Sequence, residues 1–150
     1  MKALLVIIAG IVILFMAFRY PNVDFANDPA DGIQFHKGSW TEALNLAKKE
    51  NKLIFLDIYA TWCGPCKRLK STTFSNIEVG EFYNQTFINV AMDGEKGEGP
   101  WLANKYNIKG YPSLLFIDSN GNIVAGTSGY HNVKNFLELG ARVIKNNNSK

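Results

Sequence analysis

The sequence predicts an α/β fold with a central mixed β-sheet flanked by helices, preceded by an N-terminal membrane segment. Three observations carry this expectation. Strand-forming and helix-forming stretches alternate from residue 38 onward and finish in a hairpin and a helix. The run Leu53–Ala60 is nearly continuous in apolar strand formers, the pattern of a strand buried on both faces. Residues 3–18 are apolar without a break.

At 150 residues, with 47% apolar and 19% charged, the chain can bury the core of one domain and carry an appendage. The net charge of +3 is small, the lysines are scattered, and no basic run is interleaved with aromatics. No nucleic-acid partner is expected from such a distribution. The appendage is the N-terminus. As a helix, Ala3–Phe18 would be about 24 Å long, a little short of a ~30 Å hydrocarbon core. Arg19 and Tyr20 can anchor its end at the interface. A core helix would show a polar face, and this stretch has none. Ala17 and Ala26 each lack a small residue two positions earlier, so residues 1–20 are expected to be an uncleaved signal anchor. A cleaved signal releasing a soluble periplasmic protein is the alternative. Lys2 and the α-amine precede the span and Arg19 follows it, a bias that favours an outward-facing domain.

Residues 21–37 read as an extracytoplasmic linker, rich in Pro, Gly, Asn and Asp, in which Ile33 and Phe35 can form a short strand. The domain is expected over 38–150. Ser39 and Glu42 form a capping box for a helix ending near Glu50, with Leu44, Leu46 and Ala47 as its apolar stripe. Leu53–Ala60 is the first strand. The helix after the cysteines continues or restarts near Ser75-Asn76. Thr86–Asp93 is the second strand, Gly94–Pro100 a loop, and Pro100 opens a short helix. Ser113–Asp118 and Asn122–Thr127 pair as a hairpin across Ser119-Asn120-Gly121. The last helix begins at Asn132, with Val133, Phe136, Leu137 and Val143 inward.

Both cysteines lie in YATWCGPCKRLK, residues 59–70, between a buried strand and a helix. Their spacing puts them on one face of the first turn, with Cα atoms inside the ~4.4–6.8 Å window of a disulfide. At that place Cys63 meets unpaired first-turn amides and the positive end of the helix, which stabilise a thiolate. Lys67 and Arg68 add positive charge. Cys66, one turn deeper, suits a resolving thiol, while Gly64 allows the tight turn and Pro65 stiffens it. A structural zinc site needs four ligands, and neither a second cysteine pair nor adjacent histidines exist. A structural disulfide across two residues removes little unfolded-state entropy. Redox chemistry is the remaining use.

Trp62-Cys63-Gly64-Pro65-Cys66-Lys67 is identical to the active-site motif of thioredoxins. The chain resembles that family from about Gly38 to Lys145, in element order, in Asp57 six residues before the first cysteine, and in Gly110-Tyr111-Pro112 before the third strand. The resemblance implies a thioredoxin fold and dithiol–disulfide exchange without metal or cofactor. A charged, unpaired Asp57 inside LIFLDIY would cost several kcal/mol, so its pKa is expected to rise until it can pass a proton near neutral pH. Its client would be Cys66, the role that the resemblance implies; a strand-end aspartate facing water is the plain alternative. The family's lysine near that aspartate corresponds to Asn89. The resemblance further implies a cis Pro112 facing the cysteines, where Tyr111 exposes backbone to a substrate strand. Gly129 matches a family glycine on the substrate-facing surface, with a plain helix-start glycine as the alternative, and the flat face of Trp62, packed beside the pair, can receive substrate.

The expected activity is therefore a protein-disulfide reductase in an extracytoplasmic compartment, acting on disulfide-containing proteins and recharged by a membrane electron donor. A monomer is expected. An oxidase or isomerase of the same fold is one alternative, and a tethered binding module without turnover is another. The intact thiol pair argues against the last.

Overall fold

The computed structural model describes residues 23–149. The expected membrane anchor, residues 1–20, lies outside them. Among the described residues no helix is long and apolar enough to cross a membrane.

Helix α1 (Trp40–Glu50) starts with the capping box read from the sequence. The Glu42 amide donates to Ser39 Oγ at 3.2 Å, and the Ser39 amide to Glu42 Oε2 at 2.6 Å. Strand β1 (Leu53–Tyr59) is buried along its whole length. It pairs in parallel with β2 (Phe87–Asp93) and antiparallel with β3 (Ser113–Ile117), and β3 pairs antiparallel with β4 (Ile123–Ser128). The mixed sheet has the order β2-β1-β3-β4.

Alternation along β1 divides the core into two layers. Ile54, Leu56 and Ile58 face Trp40, Ala43 and Ala47 of α1 and Leu102 of α4 (Gly99–Lys105). Phe55 faces the other way, among Phe74, Tyr83, Phe116 and Phe136 at ring-centroid distances of 5.2–5.9 Å. That layer is closed by the chain after the cysteines and by α5 (Val133–Asn147), which buries Phe136 and Val143 and half-buries Val133 and Leu137.

Two elements differ from the sequence reading. The first is the linker. From Phe25 to His36 the leading segment lies on the domain: Ile33 is fully buried and Phe35 nearly so, both in the Phe55 layer. Acceptors far along the chain fasten it. The Gln34 amide donates to Asn84 Oδ1 at 2.9 Å, the Ile33 amide to the Phe74 carbonyl and the His36 amide to the Asn89 carbonyl at 2.8 Å each. Ile33 and Phe35 join no strand of the sheet. The second is the geometry of the helix after the cysteines, whose restart near Ser75-Asn76 is as read. α2 (Gly64–Arg68) passes into a π-helical turn, Leu69–Phe74, before α3 (Ile77–Thr86) restarts on Asn76. Ser71 Oγ and Thr72 Oγ1 both donate to the Arg68 carbonyl, and Ser75 Oγ to that of Ser71. These bonds compete with the regular backbone ladder and loosen it.

Candidate active site

Parallel pairing brings the C-terminal ends of β1 and β2 to one edge of the sheet. Antiparallel pairing brings the start of β3 and the end of β4 to the same edge, since Ser113 sits opposite both Ile58 and Ser128. Trp62–Cys66, Asp93–Glu98, Tyr111-Pro112 and Gly129 thereby meet.

Cys63 is the N-cap of α2, and Pro65 lies in the first turn. Cys63 and Cys66 are joined by a disulfide, with Cα atoms 5.3 Å apart. The Cys66 amide donates to Cys63 Sγ at 3.2 Å. The same amide is aimed to stabilise negative charge on Cys63 once the pair is reduced. Both cysteines are buried, so Cys63 is as shielded as Cys66 in the bonded state. Lys67 is half-buried beside them. The Arg68 guanidinium instead stacks over the Tyr130 ring, 4.3 Å from its centroid.

Asp57 is 4% exposed, and its Oδ1 has no hydrogen-bond partner among the described residues. Burial pushes its carboxyl up to about 7, and the Lys70 ammonium opposes that rise. Asn89, at the position of the family's lysine, has its amide engaged elsewhere. Its Nδ2 donates to Asn84 Oδ1 at 3.1 Å and to the Gln34 carbonyl at 3.5 Å. The charge near Asp57 comes instead from Lys70, in the π-helical turn. Folded Asp57 keeps its proton up to about pH 7, while an ordinary aspartate loses it near 3.8. Between those values the folded chain binds the extra proton, so stability falls as pH rises, by on the order of 4 kcal/mol in all. Asp57→Asn is expected to remove that loss. Urea unfolding should find the variant close to the native protein near pH 4 and more stable at pH 8.

Trp62 is 66% exposed, and its ring lies edge-on to Tyr111 at 6.1 Å. Its Nε1 donates to both carboxylate oxygens of Glu95 at 3.1 Å. Tyr111-Pro112 is cis, and the Gly129 amide donates to the Pro112 carbonyl at 3.0 Å. Gly129 has φ +83°, which glycine adopts without steric cost. Gly64 and the exposed Pro65 complete the rim. The cysteine pair and Trp62, Gly64, Pro65, Tyr111, Pro112 and Gly129 thus lie at one end of the sheet, while Arg68 and Asn89 are engaged elsewhere and Asp57 is buried within β1. Glu95, Lys70 and Phe25, which join them, were not among the residues singled out in the sequence. A signal for Lys70 existed: it follows Cys66 by one helical turn, on a face shared with Thr73 and Phe74.

Residues 40–144 match the model of the thioredoxin-like domain family. The thiol:disulfide interchange protein DsbD of Haemophilus influenzae is 33% identical over 104 residues, covering 67% of this chain but 18% of that protein. The chain thus spans less than a fifth of the length of this curated relative. The solution structure of a "putative disulphide-isomerase from Bacteroides thetaiotaomicron" superposes with a TM-score of 0.68 at 43% identity, over 77% of this chain and 96% of the other. The reduced C-terminal domain of Neisseria meningitidis DsbD superposes with a TM-score of 0.56 at 27% identity, over 67% and 90%. Family match, fold and the bonded pair at the head of α2 agree: the chain belongs to the thioredoxin-like domain family and is a thiol–disulfide oxidoreductase built on Cys63 and Cys66.

Proposed function

We propose that this chain reduces disulfides of protein substrates in an extracytoplasmic compartment, held to the membrane by residues 1–20. The observation that carries the chemistry is the Cys66 amide donating to Cys63 Sγ, and the buried Asp57 carboxyl, raised to about 7, supports it. In the reduced state the Cys63 thiolate attacks one sulfur of a substrate disulfide. The substrate S–S bond breaks, a mixed disulfide forms, and the departing thiolate takes a proton. Cys66 then gives its proton to the Asp57 carboxylate and attacks Cys63 Sγ. The mixed disulfide breaks, the second substrate sulfur leaves with that proton, and Cys63–Cys66 is bonded again. The substrate gains two electrons and two protons, which a membrane-borne dithiol donor must return.

The exposed Trp62 face, the Tyr111 backbone and the open ground around Gly129 support docking of an extended substrate segment, with Pro112 as its floor. Support for the compartment is the uninterrupted apolar run Ala3–Phe18. A second reading, isomerisation, is favoured by the description of the Bacteroides relative. Redox titration of the full-length chain in detergent separates the two, alongside turnover of a protein disulfide. A potential near that of reducing thioredoxins, about −270 mV, is expected; one near about −120 mV would make the chain an oxidant. In intact cells the reduced cysteines should react with a membrane-impermeant thiol reagent. Reaction only after the inner membrane is lysed would overturn the compartment.

A further inference from the structure

We infer that Lys70 is a positioning residue for exchange: its ammonium, held against Phe25 of the leading segment, sets how readily Asp57 takes the proton of Cys66. The inference rests on the proposed role of Asp57 as proton carrier.

Lys70 is 8% exposed, unusual for a lysine, and among the described residues it makes no direct ion pair. Its Nζ lies 5.4 Å from the centroid of the Phe25 ring, within cation–π range. Phe25 in turn stacks on Tyr59, ring centroids 4.3 Å apart and planes at 10°. Tyr59 follows Asp57 by two residues and so shares its face of β1. Phe25 therefore bridges Tyr59 and Lys70, and packs against the cluster that contains both cysteines.

The charged and titratable groups around this site come from three elements. Asp24, Asp28 and Lys37 belong to the leading segment, Tyr59 to β1 and Asp93 to β2. Asp28 is taken up by Lys37 Nζ at 2.9 Å and by the Phe35 amide. Asp24 accepts from the Ala26 amide and from Asn27 Nδ2. Asp93 accepts from the Glu95 amide and pairs with Lys96. Asp57 alone of these carboxylates has a buried oxygen without a partner. A cation held near it favours the carboxylate, the form that can accept a proton. Burial counts against Lys70's own charge, and the Phe25 face and the surrounding carboxylates count for it.

The test is the pH dependence of mixed-disulfide resolution in single turnovers of the full-length chain. Lys70→Met keeps the stem and removes the charge. Its midpoint is expected to move up by roughly one pH unit, with resolution about tenfold slower well below the midpoint. Lys70→Arg should return the midpoint toward the native value. In an Asp57→Asn background, Lys70→Met should move nothing. An unmoved midpoint in Lys70→Met, with Asp57→Asn altered, overturns the inference alone, as does a shift that persists without the carboxylate. A native profile in Asp57→Asn overturns the proton-carrier role and the inference with it. If Lys70→Met does not fold, Lys70→Gln takes its place. Carbon-13 titration of the Asp57 carboxyl gives a second readout, and an unmoved carboxyl midpoint also overturns the inference.

Discussion

Cys63→Ser is expected to reduce disulfide exchange to the uncatalysed background. A serine hydroxyl is not ionised near neutral pH and does not displace a thiolate from sulfur, so the first step has no nucleophile. Cys66→Ser is expected to differ in kind. Cys63 can still attack, but nothing resolves the product, and substrates should accumulate as mixed disulfides on Cys63. Trapping followed by non-reducing electrophoresis and mass mapping checks both. Alkylation of the reduced protein that marks Cys66 first would reverse the two roles. Cys63 caps α2, and its sulfur receives the Cys66 amide. The buried Asp57 carboxyl, raised to about 7, is the proposed acceptor of the Cys66 proton.

Phe55→Ala is expected to cost the most stability of any single truncation in the sheet, roughly 3–5 kcal/mol. Phe55 is fully buried, and four aromatic rings from different parts of the chain enclose it. Two of them, Tyr83 and Phe136, are stacked at 4.3 Å and tied by the Tyr83 hydroxyl donating to the Phe136 carbonyl at 2.8 Å. Such a pair cannot collapse far into the vacated space, which places the cost high in the range. Urea unfolding should find a lower midpoint with an unchanged slope. A loss under about 1 kcal/mol would mean that the ring cluster relaxes freely.

The strands and the exchange pair were legible because their signals are local. A continuous apolar run reads as a strand buried on two faces, and Leu53–Tyr59 is one. Ser39 and Glu42 announce a helix start within four residues. The cysteine motif declares its own geometry. What escaped depends on distant partners. Gln34 is fastened by Asn84, fifty residues on, so the segment around it has no period to read. Trp62 and Glu95 meet only because β1 and β2 run parallel and end at one edge. Lys70 follows Cys66 by one turn, but its burial shows only once the π-helical turn sets it on the inner face. Ser71, Thr72 and Ser75, whose hydroxyls loosen that turn, look like ordinary helix-surface residues in sequence.

The packed leading segment changes where the minimal folding unit begins. The family boundary falls at Trp40, but Ile33 and Phe35 are core residues and Phe25 covers the flank of the exchange centre. A fragment excised at Trp40 would leave Phe74 without its edge contact to Phe35, and Tyr59 and Lys70 without their aromatic cover. Losing Ile33 and Phe35 forfeits about 1.5–3 kcal/mol of burial for each, a sizeable share of a domain's marginal stability. Excision ahead of Asp24 keeps all three residues. Redox potentials or proton affinities measured on the shorter fragment would describe a differently solvated Asp57. Fragment length is therefore a chemical variable in this protein as well as a matter of yield.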